Sequence, residues 1–154
     1  MTVIFKKLAL IGIGLIGSSI ALAARKGGLV ETIAINTRTA RTLKRAEELK
    51  LGDTYHADPA EAVRDADCVI ASVPVGASGD VAKAIASALK PGAIVSDVGS
   101  VKSSVIAQMA PHLPKEVHFV PAHPVAGTEY SGPDAGFAEL FKNCLLYTSP
   151  SPRD

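Results

Sequence analysis

A chain of 154 residues, 47% apolar and 20% charged, is long enough for one domain with a real core and short for a typical two-domain enzyme. Sixteen Lys and Arg against fifteen Asp and Glu give a net charge of +1, which excludes the basic excess needed to grip nucleic acid or an anionic membrane surface. The two cysteines, Cys68 and Cys144, are too few for a metal cage, and glycines interrupt the one long apolar stretch, so neither a signal peptide nor a membrane span is expected and the cytoplasm is the natural compartment.

The chain is organised around residues 7–24. An apolar run from Leu8 to Ile11 meets Gly12, Gly14 and Gly17, after which Ile16, Ile20 and Ala23 recur at helical spacing. A buried strand turning into a helix through three glycines is the context a dinucleotide-binding turn requires. Gly12 would make the tight turn, Gly14 would let backbone approach a pyrophosphate, and Gly17 would let the helix pack closely on the strand. The free N–H groups of Leu15 and Ile16, at the positive end of the helix dipole, would receive the anion. A plain strand-turn-helix corner is the alternative.

Thr32 to Ile35 form a short second strand that ends at Asn36, nineteen positions after Gly17, about where an acid would accept hydrogen bonds from the adenosine ribose. No acid stands there. Asn36, Thr37 and Arg38, with Arg41 following, suit a ribose that carries a phosphate, which leans the cofactor toward NADP over NAD. The same arginines read equally well as solvated charges at the start of a surface helix.

That helix covers residues 39–49, burying Leu43, Ala46 and Leu49, and stops at Gly52 as its C′ residue. Asp58, Pro59 and Glu61 start another, with Asp58 as N-cap, Pro59 at N1 and Glu61 reaching back. Residues 67–73 are a buried parallel strand delivering Val73 and Pro74, and a helix over residues 79–89 follows. Residues 93–98 form the next strand and lead into Gly99, Ser100, Val101 and Lys102. A helix marked by Val105, Ile106 and Met109 closes at Pro111, and a last strand over residues 117–120 delivers His123.

About six strands alternating with helices predict a doubly wound, Rossmann-like parallel sheet of order 3-2-1-4-5-6. Ligands lie beyond the carboxyl ends of such strands, so the Gly12 turn, Asn36, Pro74, Ser100 and His123 should share one edge. Of four histidines, His56 reads as a polar-loop residue, His112 as a helix-end residue, and His118 as an interior or sheet-face group. His123 stands apart because a shaped loop of Pro, Gly and polar residues, 124–132, follows it.

Three segments taken together, Gly-Ile-Gly-Leu-Ile-Gly-Ser-Ser at 12–19, Asp-Val-Gly-Ser-Val-Lys at 97–102 and His-Pro-Val-Ala-Gly-Thr-Glu-Tyr-Ser-Gly at 123–132, resemble the prephenate/arogenate dehydrogenase family over residues 7–143. The resemblance implies NAD(P)-dependent oxidative decarboxylation of prephenate or arogenate in tyrosine biosynthesis. It implies that His123 takes the proton of the ring hydroxyl, that Ser100 orients the histidine and nicotinamide, and that Thr128 and Glu129 stand near the substrate entrance. Ser100 can also be read as a helix N-cap, Glu129 as a solvated loop acid, and Lys102 as a surface or helix-start residue without a catalytic role. Another hydroxyacid dehydrogenase, or a nucleotide-sensing module without catalysis, are the rival readings.

Family members carry a helical second domain that forms the homodimer and supplies cations for the substrate carboxylates; this chain shows no such segment. Residues 144–154 resemble the translation of a common sequencing adapter, and with Pro150 and Pro152 they read as a non-native tail outside the nucleotide-binding domain, residues 1–143.

Overall fold

Six strands lie side by side as one parallel sheet in the computed structural model, which describes residues 2–148. In chain order the elements are β1 (Phe5–Ile11), α1 (Leu15–Lys26), β2 (Val30–Asn36), α2 (Ala40–Glu48), β3 (Thr54–His56), α3 (Pro59–Val63), β4 (Cys68–Ala71), α4 (Ser78–Ile85), β5 (Ile94–Asp97), α5 (Lys102–Met109) and β6 (His118–Val120). The order across the sheet is β3-β2-β1-β4-β5-β6, as expected. Leu8 of β1 stands opposite Ile33 of β2 on one side and Cys68 of β4 on the other, so the direction of winding reverses between β1 and β4. That switch point is where open sheets of this kind leave a crevice.

Strand alternation sorts the core into two layers. Leu8, Leu10, Ile33 and Ile35 face Ala21 and Ala24 of α1 and Ala46 of α2. Ala9, Ile11, Val69 and Val95 face Ala62 and Val63 of α3, Ala82 and Ile85 of α4, and Val105 and Met109 of α5. Burial on both faces accounts for the near-continuous apolar character of the strands. It also makes Cys68 inert, because desolvation raises its thiol to about 11.

Local chemistry departs from expectation in three places, and at His118 it decides between two alternatives. α2 ends in a Schellman motif whose C′ residue is Lys50, at φ 54°, with Leu51 N–H donating to Ala46 O and Lys50 N–H to Glu47 O. Gly52 is needed instead for space, since a Cβ there would lie 2.7 Å from Ile35 Cδ1. His56 belongs to edge strand β3, its Nε2 2.9 Å from Thr54 Oγ1, where the sequence suggested a loop. Asp58 does cap α3 by accepting from Ala60 N–H, but Glu61 turns outward to Arg64 at 2.8 Å. His118 is exposed on β6, which excludes an interior role.

Beyond β6 the chain forms a second, two-stranded antiparallel sheet of β7 (Ala122–Val125) and β8 (Leu145–Thr148), with His123 opposite Tyr147. Residues 145–148, within the segment read as a non-native tail, form the second of these strands. Tyr147 and Thr148 favour extended backbone, and Pro150 and Pro152 come only after them. Residues 149–154 lie outside the described residues.

Asp67 ties together the amino ends of the central strands β1 and β4: its Oδ2 accepts from the N–H groups of Lys6 and Lys7, and its Oδ1 pairs with the Lys90 ammonium. The Lys90 ammonium and those backbone donors hold its carboxyl below the ordinary 3.8. A carboxyl depressed on folding stabilises the native state fully above its unfolded value, and that stabilisation is lost as pH falls through the folded value. We expect the unfolding midpoint of the wild type to drop below pH 4 more steeply than that of Asp67→Asn. Thermal unfolding followed by circular dichroism between pH 7 and pH 2.5 measures the difference, about 1 kcal/mol at neutral pH given the partial exposure of the pair.

Candidate nucleotide-binding and catalytic site

The glycine turn after β1 has the geometry its spacing implies. Gly12 sits at φ 95°, and a Cβ there would lie 2.2 Å from Ser72 O at the end of β4. Gly17 is pressed against the same turn, with 2.4 Å between its would-be Cβ and Gly12 O. Gly14 differs: a Cβ there would meet nothing within 4 Å, so its missing side chain leaves open space above the start of α1. Gly14 is also the N-cap of α1, no side chain caps that end, and no acid lies in the first turn. Leu15 and Ile16 are half-buried beside this space, with their backbone N–H groups in the helix's first turn. A diphosphate fits this cradle by both shape and charge.

At the adenosine end, Asn36 is 5% exposed and its Nδ2 donates to His56 O at 3.0 Å and Ala57 O at 3.1 Å. Both amide hydrogens are committed to joining β2 to the end of β3, so a ribose hydroxyl could meet only the acceptor oxygen. Thr37 is half-buried, while Arg38 and Arg41 are exposed. Nothing in this placement favours a phosphorylated ribose over a plain one, and the lean toward NADP finds no support. Replacing Asn36 by Asp, the residue that would accept ribose hydroxyls twice over, puts an oxygen against two carbonyl oxygens. We expect Asn36→Asp to cost about 2 kcal/mol of stability in thermal unfolding, offsetting any gain in nucleotide contact.

Along the rim the chain passes Val73, half-buried, and Pro74, exposed, directly after β4. Ser100 follows β5, half-buried, and does not cap α5: the N-cap is Val101, without a side-chain hydrogen bond. His123 is 7% exposed and lies within β7 itself, where the sequence placed it at a strand end before a loop. Its ring is 6.2 Å from that of Tyr147 on β8. Thr128 and Glu129 are exposed, Thr128 Oγ1 accepting from Tyr130 N–H at 3.1 Å. Beneath β7 and β8 lies an apolar hollow of about 410 Å³ lined by residues including Ile20, Ile70, Asp97, Ala122, Phe141 and Leu146.

Two residues that the sequence reading left aside are central to this rim. Lys102, expected at the surface, is fully buried and paired with Asp97, itself 2% exposed. The signal was present in the chain: a lysine at the first position of a helix opposes the helix dipole and needs a reason to be there. Among the described residues no cluster of His, Cys, Asp and Glu could hold a metal ion, and no helix is long and apolar enough to cross a membrane.

Comparison with known proteins agrees with this geometry. The family described as prephenate dehydrogenase, nucleotide-binding domain, matches residues 20–153. A cyclohexadienyl dehydrogenase of Zymomonas mobilis is 47% identical over 147 residues, covering 96% of this chain and 50% of the relative. A crystal structure of prephenate dehydrogenase from A. aeolicus, in complex with hydroxyphenyl propionate and NAD+, superposes with a TM-score of 0.85 at 26% identity, covering 96% of this chain and 51% of that one. The Synechocystis arogenate dehydrogenase gives 0.83 at 28% identity, covering 96% and 51%. The chain thus spans about half the length of each of these relatives. A parallel sheet with an open glycine turn at its switch point, and a sequence match over most of its length, place this chain in the prephenate/arogenate dehydrogenase family, as its nucleotide-binding domain.

Proposed function

We propose that this chain is the nucleotide-binding half of an oxidoreductase that converts prephenate or arogenate to its aromatic product with loss of carbon dioxide. The observation that carries the reading is a buried histidine on β7, at the carboxyl rim of the sheet whose switch point holds the open glycine cradle. The similarity to the cyclohexadienyl dehydrogenase of Zymomonas mobilis supports the substrate class.

NAD or NADP, when bound, supplies the hydride acceptor. Gly12, Gly14 and Gly17 shape the turn that would receive the diphosphate, and the N–H groups of Leu15 and Ile16 would neutralise it. The Asn36 side-chain oxygen, Thr37 and Arg38 would hold the adenosine ribose, and Val73 and Pro74 would flank the dinucleotide along the rim. His123 hydrogen-bonds the hydroxyl on the substrate ring and takes its proton as the carbon beneath is oxidised. Ser100 orients the imidazole, and Thr128 and Glu129 border the entrance for the substrate. The carbon–carbon bond to the ring carboxylate then breaks, its electron pair completes the aromatic ring, and carbon dioxide leaves. Since aromatisation supplies the driving force, the protein's work is position and proton handling. A helical domain like that of the relatives would complete the substrate pocket and form the homodimer.

A chimera of residues 1–143 with the second half of the Zymomonas relative tests the reading. Reduction of NAD or NADP on addition of prephenate or arogenate is the expected result. Nucleotide binding without turnover of either acid would reduce the domain to a sensor.

A further inference from the structure

The pairing of β5 with β6 ends at Ser96 and Val120, reinforced by Ser96 Oγ donating to Val120 O at 2.7 Å. Pro121 has no N–H and cannot extend the ladder. The chain then turns into β7, whose strand partner is β8 rather than β5. Backbone pairing therefore does not hold His123 against the β5 loop that carries Ser100.

Side chains make that connection instead. Asp97 Oδ1 accepts from Ala122 N–H at 3.1 Å, and Lys102 Nζ donates to Ala122 O at 2.7 Å. Asp97 Oδ2 accepts from Gly99 N–H at 2.8 Å and from Lys102 Nζ. The peptide groups on both sides of Ala122 are thus gripped, and the second of them is the amide that begins His123. Gly99 belongs to the same arrangement, because a Cβ there would stand 3.0 Å from Asp97 Oδ2 and 2.8 Å from Val105 Cγ2.

Stability alone is a poor reason for this pair. A buried ion pair loses the hydration of both charges, and apolar residues of similar volume commonly serve a core as well or better. Geometry is what the pair supplies: two oxygens and one ammonium in fixed directions, joining the segment before Ser100 to the residue before His123.

We propose that Asp97 and Lys102 form a positioning clamp that sets where the His123 imidazole stands relative to Ser100, in place of the sheet ladder that Pro121 interrupts. The proposal rests on the oxidoreductase reading for its purpose, since that reading makes His123 the proton acceptor. Lys102 and Asp97 are positioning residues and touch neither substrate nor nucleotide in this scheme.

The test uses the complete 154-residue chain and nuclear magnetic resonance. In Lys102→Met we expect exchange of the Ala122 amide proton to accelerate at least about tenfold, and the ring signals of His123 to move, while affinity for NAD+ stays within about threefold. A folded variant whose Ala122 exchange and His123 ring signals match the wild type would overturn the clamp, even if its melting temperature fell, because then the pair is only structural.

Should the uncompensated Asp97 prevent folding of Lys102→Met, the double variant Asp97→Asn/Lys102→Met removes both charges and is read the same way. The wild type alone also decides: an Ala122 amide that exchanges as fast as those of residues 127–132 would end the proposal. Failure of the wild type to bind NAD+ or NADP+ would instead defeat the oxidoreductase reading, leaving the exchange and ring measurements to judge the clamp by themselves.

Discussion

Gly14→Ala is expected to leave this chain folded and weaken its binding of NAD+ at least about tenfold, whereas Gly12→Ala should unfold much of it. The contrast follows from where the added methyl would go. At Gly14 it enters empty space, and alanine in place of glycine at an N-cap costs less than about 1 kcal/mol. That space is where the proposed diphosphate would come within hydrogen-bonding reach of the Leu15 and Ile16 N–H groups, so the methyl would compete with the ligand and with nothing else.

At Gly12 the methyl would meet Ser72 O at 2.2 Å, and Ser72 N–H is itself bonded to Ile11 O at 2.7 Å. Neither strand can give way without losing the β1–β4 pairing. The positive φ of 95° adds strain of its own. Together these effects amount to about 3 kcal/mol or more, a large share of the stability of a domain this size. Calorimetric unfolding and nucleotide titration on the two variants separate the effects. Equal loss of stability at both positions would show that the turn is only a corner.

The second large effect is expected at His123. In the chimera described above, His123→Asn should lower kcat for prephenate or arogenate by about 10²- to 10⁴-fold while the Kd for the nucleotide changes less than about threefold. Asparagine retains a hydrogen-bonding side chain of similar reach and cannot take a proton, so it preserves shape and removes the chemistry. Binding should be spared because the diphosphate site proposed above lies at the β1 turn, on a different segment. Turnover that survives the substitution would return the proton acceptor to an unassigned group, and a parallel loss of nucleotide affinity would mean that the ring holds the coenzyme.

Much of this was legible in the chain because each signal was local. Glycines at 12, 14 and 17 announce a tight turn, and the structure returns close contacts at Gly12 and Gly17 and open space at Gly14. Strand order followed from the strict alternation of strand and helix, since right-handed crossovers leave few other arrangements. Asp58 was readable as a cap because its partner, Ala60 N–H, is two residues away.

What escaped the sequence depends on residues far apart. The sequence shows that Asn36 stands at the tip of β2, but not that its amide hydrogens are bonded to carbonyls twenty and twenty-one residues on, which leaves only its oxygen for a ribose. Thr54–His56 is too short for periodicity to mark, and it is a strand because β2 offers an edge to pair with. The partnership of β7 with residues 145–148 joins segments separated by an entire loop, and no local propensity encodes it.

Lys102 is the sharpest case. Sequence alone marked it as a surface or helix-start residue, and a charged residue there is ordinarily solvated. Only the packing of α5 against the sheet decided that its ammonium lies in the interior between Asp97 and Ala122 O. Composition and periodicity report which surfaces prefer water on average, but the partner that makes a buried charge tolerable is brought by the fold.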